Sequence, residues 1–264
     1  MKILGLSFGF HDSAAALLID GNLVACAQEE RFSRINHDHT FPRQAINYCC
    51  QTAGILSSDL DAIAFYEKPY LKFHRALISH IKGFPKSFNH FIKSMPLWLG
   101  DRLAVDLLIK RELTYHNKVL FIPHHLAHTA SAFLASPFEQ AAFVISDGVG
   151  EWSTVSYGSC KKREIEIQGE LKFPNSLGLL YTALTHHLGF KANGGEGKVM
   201  GLADWGEPTY FEALLETLDL KEDGSFKLDT SYWDFYSGEN SFTRKFISTF
   251  GAPRKSDEEI TPHR

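Results

Sequence analysis

His124, His128 and Asp147 combine the residue types and spacing of a metal site. The histidines stand four apart in FIPHHLAHTASAF, and the aspartate follows in AAFVISDGVGEWST. Residues four apart on a helix lie on one face, with Cβ atoms roughly 5–6 Å apart. Two imidazoles at that separation can bind one ion, and an aspartate at the end of a neighbouring strand can add an oxygen ligand. Zinc is the default ion for such a set. Surface helices also carry such pairs by chance, so metal binding, a phosphate contact and a buried structural cluster all stay open. His125 points about 100° away from the pair and reads as a bystander or a support behind it. Thr129, Ala130, Ser131 and Ala132 predict close packing behind the first turn.

Three further stretches carry chemistry. In NGGEGKVMGLADWG, Gly194, Gly195 and Gly197 permit close backbone approach to a ligand. Lys198 adds a point charge for a phosphate or carboxylate, with Glu196 between the glycines. The stretch departs from a Walker A loop, because Ala192 sits where the first glycine belongs and Val199 follows the lysine. A glycine turn with no ligand is the competing account. GFHDSAA places His11 and Asp12 in a hairpin loop just before Ser13, where an imidazole can donate to a phosphoryl or carbamoyl oxygen and shuttle a proton. A lone loop histidine more often does nothing of the kind. In QEERFSRINHDHTFPR, Glu29, Glu30, Arg31 and Arg34 end a strand and cross into a loop. There the Arg31 fork can grip a phosphate, and surface ion pairing is an equally simple account.

The elements that must position these residues follow a pattern. KILGLSF, AAALLID and NLVACAQ alternate as three strands, with Asp20-Gly21 as the tight turn between the last two. Thr40 and Pro42 open a helix to about Ala53, and DLDAIAFY returns as a buried strand. Residues 68–114 carry two or three amphipathic helices, and KVLFIP leads into the histidine helix. AAFVISD, STVSYGS and REIEIQGEL then repeat the opening strand pattern, with Asp147-Gly148-Val149-Gly150 in the first connection. A shift of 140 residues places Ser13 on Ser153, a repeat of pattern and not of identity. Two such hairpins facing one another across a cleft would present N–H groups, those of Gly148 and Gly150 among them, to phosphates. That layout predicts an α/β, actin-like ATPase fold of the sugar-kinase and Hsp70 type. Residues 1–137 would form a first lobe with a helical insertion at about 68–114, and 138–264 would begin a second.

Bulk composition restricts function without naming it. The chain has 264 residues, 44% apolar and 22% charged, and a formal charge of −4. That describes an ordinary folded protein with no basic field for nucleic acid. No run of eighteen apolar residues and no cleavage-type leader occurs, which predicts a cytoplasmic protein without membrane attachment. Cys26, Cys49, Cys50 and Cys160 lack C-x-x-C spacing and read as reduced thiols. The basic stretch from Lys68 to Lys93, interleaved with Phe73, Phe84, Phe88 and Phe91, reads as a covering insertion with solvated lysines. A membrane or RNA contact is its minor alternative. The tail GAPRKSDEEITPHR is polar and predicts no closing strand or helix.

Taken together, GFHDSAAALLIDG, EERFSRINHD, HHLAHTASAF, SDGVGEWST and GGEGKVMGLA resemble the N-terminal part of the nodulation and antibiotic O-carbamoyltransferases. The resemblance spans nearly the whole chain, in order. It implies an actin-like domain related to the tRNA threonylcarbamoyl transfer proteins. It further implies that carbamoyl phosphate and ATP give carbamoyl adenylate, whose carbamoyl group passes to a hydroxyl of a sugar, aminoglycoside or related small molecule. His124, His128 and Asp147 would then hold divalent iron or another divalent metal at the nucleotide phosphates, with Mg2+ as a further counter-ion. His11 would lie at the carbamoyl group with Asp12, and Ser13, Arg31, Gly148, Gly150, Gly195, Glu196, Gly197 and Lys198 would line the nucleotide site. Two departures stand out. The family commonly reads Lys-His where this chain has Asn36-His37. Its members also run to more than twice this length, so the chain reads as a truncated N-terminal part, inactive alone. A further aspartate ligand and a separate adenylate-forming domain would follow residue 264. A homodimer is left open. A tRNA threonylcarbamoyl transfer protein, a sugar-kinase-like phosphotransferase and a non-catalytic nucleotide-binding fragment remain as alternatives.

Overall fold

A computed structural model describes residues 1–237 and 241–260. The chain opens with β1 (Lys2–Ser7), β2 (Ala14–Ile19) and β3 (Asn22–Gln28), an antiparallel meander as the alternation predicts. Asp20 and Gly21 both take positive φ, 51° and 84°, which is what a two-residue turn matched to strand twist requires. Next come α1 (Glu30–Ser33), α2 (Arg43–Ala53) and β4 (Ala62–Phe65). They are followed by α3 (Pro69–Gly83), α4 (Phe88–Leu97), α5 (Val105–Leu113) and β5 (Val119–Phe121). The sheet order is β3-β2-β1-β4-β5, with β4 parallel to both β1 and β5. On α2, Ala45, Ile46, Cys49 and Cys50 are buried on one face, and they pack with Leu4, Leu17, Ile63 and Phe65 into a core that Ile109 of α5 also joins.

The segment from Glu29 to Arg34 corrects the expectation of a loop. Glu30–Ser33 is one helical turn, closed by Arg34 in the left-handed region at φ 60°. Glu29 is buried, and its carboxylate accepts the N–H groups of Gln44 and Ala45 at 3.1 and 2.8 Å. It therefore caps α2, whose own Pro42 provides no side-chain cap. Cys49 and Cys50 lie against the sheet, and burial, aided by Cys50, pushes the Cys49 thiol up to about 11. All four cysteines are free, as the missing pair spacing suggests.

The later chain holds α6 (His124–Phe133), β6 (Gln140–Ser146), β7 (Ser153–Lys161) and β8 (Glu164–Lys172). After them come α7 (Leu177–His187), α8 (Glu196–Ala203), α9 (Phe211–Leu215), β9 (Leu218–Leu220), β10 (Phe226–Leu228) and α10 (Arg244–Phe250). β6-β7-β8 is a second antiparallel meander, and β9 pairs with β10. A second core gathers Ala183, Phe226, Leu228, Trp233, Phe242 and Phe246.

Packing divides the chain into two compact units: residues 1–74 with 94–127, and residues 75–93 with the chain from 128 onward. By packing the division falls inside α6, itself one unbroken helix, and not at the expected 137/138 boundary. In the basic stretch Lys82, Lys86 and Lys93 are exposed, as expected of solvated lysines, and Lys72 is the more enclosed one. Lys72 pairs with Glu67 at 2.6 Å, Lys86 with Asp234 at 3.7 Å, and Lys82 lies over the Tyr236 ring. Of the tail, residues 251–260 form no strand or helix, and 261–264 lie outside the described residues. Arg254 is the buried exception among the exposed residues 251–260. Its backbone N–H donates to His187 O at 2.9 Å and its Nε to Leu188 O at 2.7 Å, so the tail ties down the end of α7. Among the described residues no helix is long and apolar enough to cross a membrane.

Candidate functional site

α6 begins at His124, so both predicted ligands lie in its first two turns on one face. His128 Nε2 stands 3.8 Å from Asp147 Oδ2. The ligand atoms of His124, His128 and Asp147 all lie within 4.8 Å of one another. A divalent metal about 2.1 Å from each donor needs those donors roughly 3–3.5 Å apart, a change within reach of side-chain rotation. Two imidazoles and a carboxylate suit zinc, iron and related divalent ions. The donor set therefore fits a metal. The ring of Tyr66 meets His124 edge-on at 5.3 Å between centroids. His125 is only 3% exposed, which suits a residue behind the pair.

Asp147 is held by residues that sequence reasoning missed. Its Oδ1 accepts the Gly148 N–H at 2.6 Å, which leaves Oδ2 as the oxygen nearer His128. Ser176 caps α7 by accepting the Leu179 N–H, and its hydroxyl donates to the Gly148 carbonyl at 2.6 Å. Gly178 lets α7 press against this turn: a Cβ there would come 2.6 Å from Asp147 O and 2.7 Å from Gly148 N. The only sequence signal was Ser-x-Gly at a helix start, which marks a cap but not the backbone it approaches.

The hairpin N–H groups are largely engaged within the protein. Gly150 N–H donates to Ser153 O at 3.0 Å, Gly9 N–H to His39 O at 3.0 Å and Ser13 N–H to Asp38 O at 2.7 Å. With Gly148 bonded to Asp147, these four N–H groups are not the ones offered to a phosphate. Ser13 is fully buried, and among the described residues its hydroxyl has no hydrogen-bond partner.

The glycine stretch is also corrected. Gly197 and Lys198 lie in the first turn of α8, not in a loop, and Lys198 is exposed. Glu196 serves the turn itself: its carboxylate accepts the N–H groups of Asn193 and Gly194 at 2.8 and 2.7 Å and the Thr182 hydroxyl at 3.1 Å. Burial pushes its pKa up, but these hydrogen bonds outweigh burial and hold it below the usual glutamate value. Gly195 is used internally, since a Cβ there would meet Lys191 O and Phe190 Cβ at 2.7 Å; Gly194 and Gly197 have open space around theirs.

In the first unit His11 and Asp12 lie in the loop between β1 and β2, His11 Nδ1 2.8 Å from Asp12 Oδ2. Asp12 takes a second imidazole that the sequence reading passed over, His37, whose Nδ1 lies 2.9 Å from Oδ1. Asp12 is partly buried, which raises its pKa; the bonds to His37 and His11 bring it below the ordinary aspartate value. Arg31 sits exposed on α1.

Comparison with known proteins gives this geometry a context. The family model described as Carbamoyltransferase N-terminus matches residues 2–262. An uncharacterized protein of Synechocystis sp., sll1178, is 46% identical over 97% of this chain and 43% of its own length. Nodulation protein NolNO of Sinorhizobium fredii is 33% identical over 83% of this chain and 31% of its own length. The chain thus spans less than half the length of these curated relatives. Among solved structures, YeaZ from Pseudomonas aeruginosa superposes with a TM-score of 0.33 at 19% identity, over 66% of this chain and 68% of that one, too distant to support an argument.

Proposed function

This chain belongs to the carbamoyltransferase family through that family's N-terminal region, and from this premise we propose that it serves the transfer of a carbamoyl group to a hydroxyl of a sugar, aminoglycoside or similar small molecule. The donor in this reading is carbamoyl phosphate, activated by ATP as a carbamoyl adenylate on an actin-like domain. The observation that carries it is the donor cluster of His124, His128 and Asp147 within a chain that the family matches almost end to end.

In this reading His124, His128 and Asp147 hold a divalent ion, iron first, which when bound supplies positive charge to nucleotide phosphates. Ser176 and Gly178 keep Asp147 aimed, so the carboxylate need not reorganise. Lys198 offers an exposed cation at the start of α8, on a turn that Glu196 fixes from within. In the first unit, His11 binds at the carbamoyl oxygen or holds the proton that the acceptor hydroxyl releases. Asp12 fixes the ring by its Nδ1 and leaves Nε2 to do so. Carbamoyl transfer develops charge on that oxygen, and one well-placed donor is worth roughly 3–4 kcal/mol of barrier. The remaining length of the relatives is where an adenylate-forming domain is expected.

The test is incubation of the protein, as encoded by its whole gene, with ATP, carbamoyl phosphate and a panel of hydroxylated acceptors. AMP, pyrophosphate and a carbamate ester are the expected products. ADP with a phosphorylated acceptor would overturn this reading in favour of a sugar-kinase-like phosphotransferase.

A further inference from the structure

The first unit carries a relationship that no part of the proposed chemistry requires in advance. Two loops far apart in sequence are joined by backbone bonds: Gly9 N–H to His39 O, Ser13 N–H to Asp38 O and Glu29 N–H to Ser13 O, at 3.0, 2.7 and 2.7 Å. Asp38 is buried, and its carboxylate is held below the usual range chiefly by Ser33 and then by the Thr40 N–H and hydroxyl. The second loop therefore has a fixed shape. Asp12 and His37 both occupy the left-handed region, at φ 48° and 55°, which non-glycine residues rarely adopt. The result is one carboxylate spanning two imidazoles, Oδ2 on His11 Nδ1 and Oδ1 on His37 Nδ1. The two rings are 52% and 57% exposed, and each turns its Nε2 edge away from the carboxylate.

We infer that His37 is a second working imidazole of this site, paired with His11 through Asp12, and that the two outward Nε2 atoms bind a substrate oxyanion and handle its proton. The inference rests on the carbamoyl-transfer reading for its substrate, but its geometry stands apart from it. A carboxylate accepting both Nδ1–H groups sets the same tautomer in both rings and leaves two lone pairs outward. One negative charge balances one imidazolium, so the pair can present an N–H donor and a proton acceptor at once. An imidazolium can then donate to a carbamoyl or phosphoryl oxygen while the neutral ring takes the acceptor's hydroxyl proton. Other charged groups set the surroundings. Glu30 accepts the backbone N–H of His37 at 3.0 Å, and Lys72 lies over the Phe10 ring that packs on His11, itself bound to Glu67. Asp12 is a positioning residue in this scheme, and His37 acts on substrate.

The experiment has two arms. In the first, imidazole 15N spectra of the substrate-free protein report the tautomers directly. Both His11 and His37 are expected as Nδ1–H forms, Asp12→Gly, which removes both acceptor oxygens at a position of positive φ, should release both from that form, and inorganic phosphate should shift both Nε2 resonances. An Nε2–H tautomer for His37, or a His37 resonance indifferent to Asp12→Gly, overturns the pairing whatever the reaction proves to be. In the second arm, His37→Gln is measured in carbamoyl transfer. It should lower kcat about 100-fold with little change in KM and remove one limb of the pH–rate profile, while the His11 tautomer is retained. An unchanged kcat and profile overturn the role of His37. Tautomers as expected with no carbamoyl transfer by the parent protein would instead count against the reading of function and leave the paired site standing.

Discussion

His128 Nε2 lies 3.8 Å from one oxygen of Asp147, while the other oxygen takes the N–H of Gly148 at 2.6 Å. The carboxylate is thus divided between a backbone bond that orients it and an oxygen that faces His128. Removing one donor of three from a small ligand set leaves too few bonds to hold an ion against water. His128→Ala should therefore abolish stoichiometric divalent metal while the far-ultraviolet spectrum is unchanged. Metal analysis after dialysis checks this, and full occupancy in the variant would remove His128 from the ligand set.

Gly178 offers a test of the support behind that site. A methyl at this position meets only backbone, Asp147 O at 2.6 Å and Gly148 N at 2.7 Å, so no side chain can swing aside. Either α7 or the Asp147 turn must move. Gly178→Ala should cost about 1–3 kcal/mol of stability by overpacking, and misplacing the ligand's support should weaken metal binding about 10- to 100-fold. Urea denaturation and metal titration measure the two effects separately. Wild-type affinity in a stably folded variant would show that α7 does not aim Asp147.

The contrast between Asp147 and its supports shows what a sequence makes legible here. The opening strands, the turn at Asp20-Gly21 and the i, i+4 histidine pair depend on neighbours within a few residues, and their periodicity is written directly in the chain. His37 on Asp12 and Ser176 and Gly178 behind Asp147 depend on segments about 25 to 30 residues apart, joined by loop shapes that no local pattern encodes. Glu196 and Glu29 were misread for a related reason. A carboxylate beside glycines or arginines suggests a ligand or an ion pair. Here each carboxylate instead satisfies backbone N–H groups, of the Asn193–Gly194 turn or of α2.

Glu29 can be tested as a remote cap. α2 has no side-chain cap of its own, and Glu29 accepts two of its first N–H groups from a buried position. Glu29→Ala leaves both N–H groups without that acceptor, and loss of a cap costs about 0.5–2 kcal/mol. Because α2 covers the sheet that carries the His11 loop, the loss should appear in urea denaturation and as faster amide exchange at Gln44 and Ala45. Unchanged exchange at those two amides would assign the cap elsewhere.

Glu196 gives a pH dependence whose sign follows from its bonds. Its pKa in the folded protein lies below the usual glutamate value of 4.5, because the Asn193 and Gly194 N–H groups and the Thr182 hydroxyl favour the ionised form over the opposing effect of burial. In the unfolded chain the group takes up a proton first. The stabilisation is therefore fully present above about pH 4.5 and is lost as pH falls through the lower folded value. Glutamine cannot accept at both ends, so Glu196→Gln should cost about 1.5–3 kcal/mol at pH 7, the range for a hydrogen bond to a charged group. The difference between wild type and variant should then shrink as the pH is lowered below 4.5. Urea denaturation at neutral and acidic pH measures it, and a difference that stays constant across that range would show that the carboxylate's charge does not hold the turn that carries Lys198.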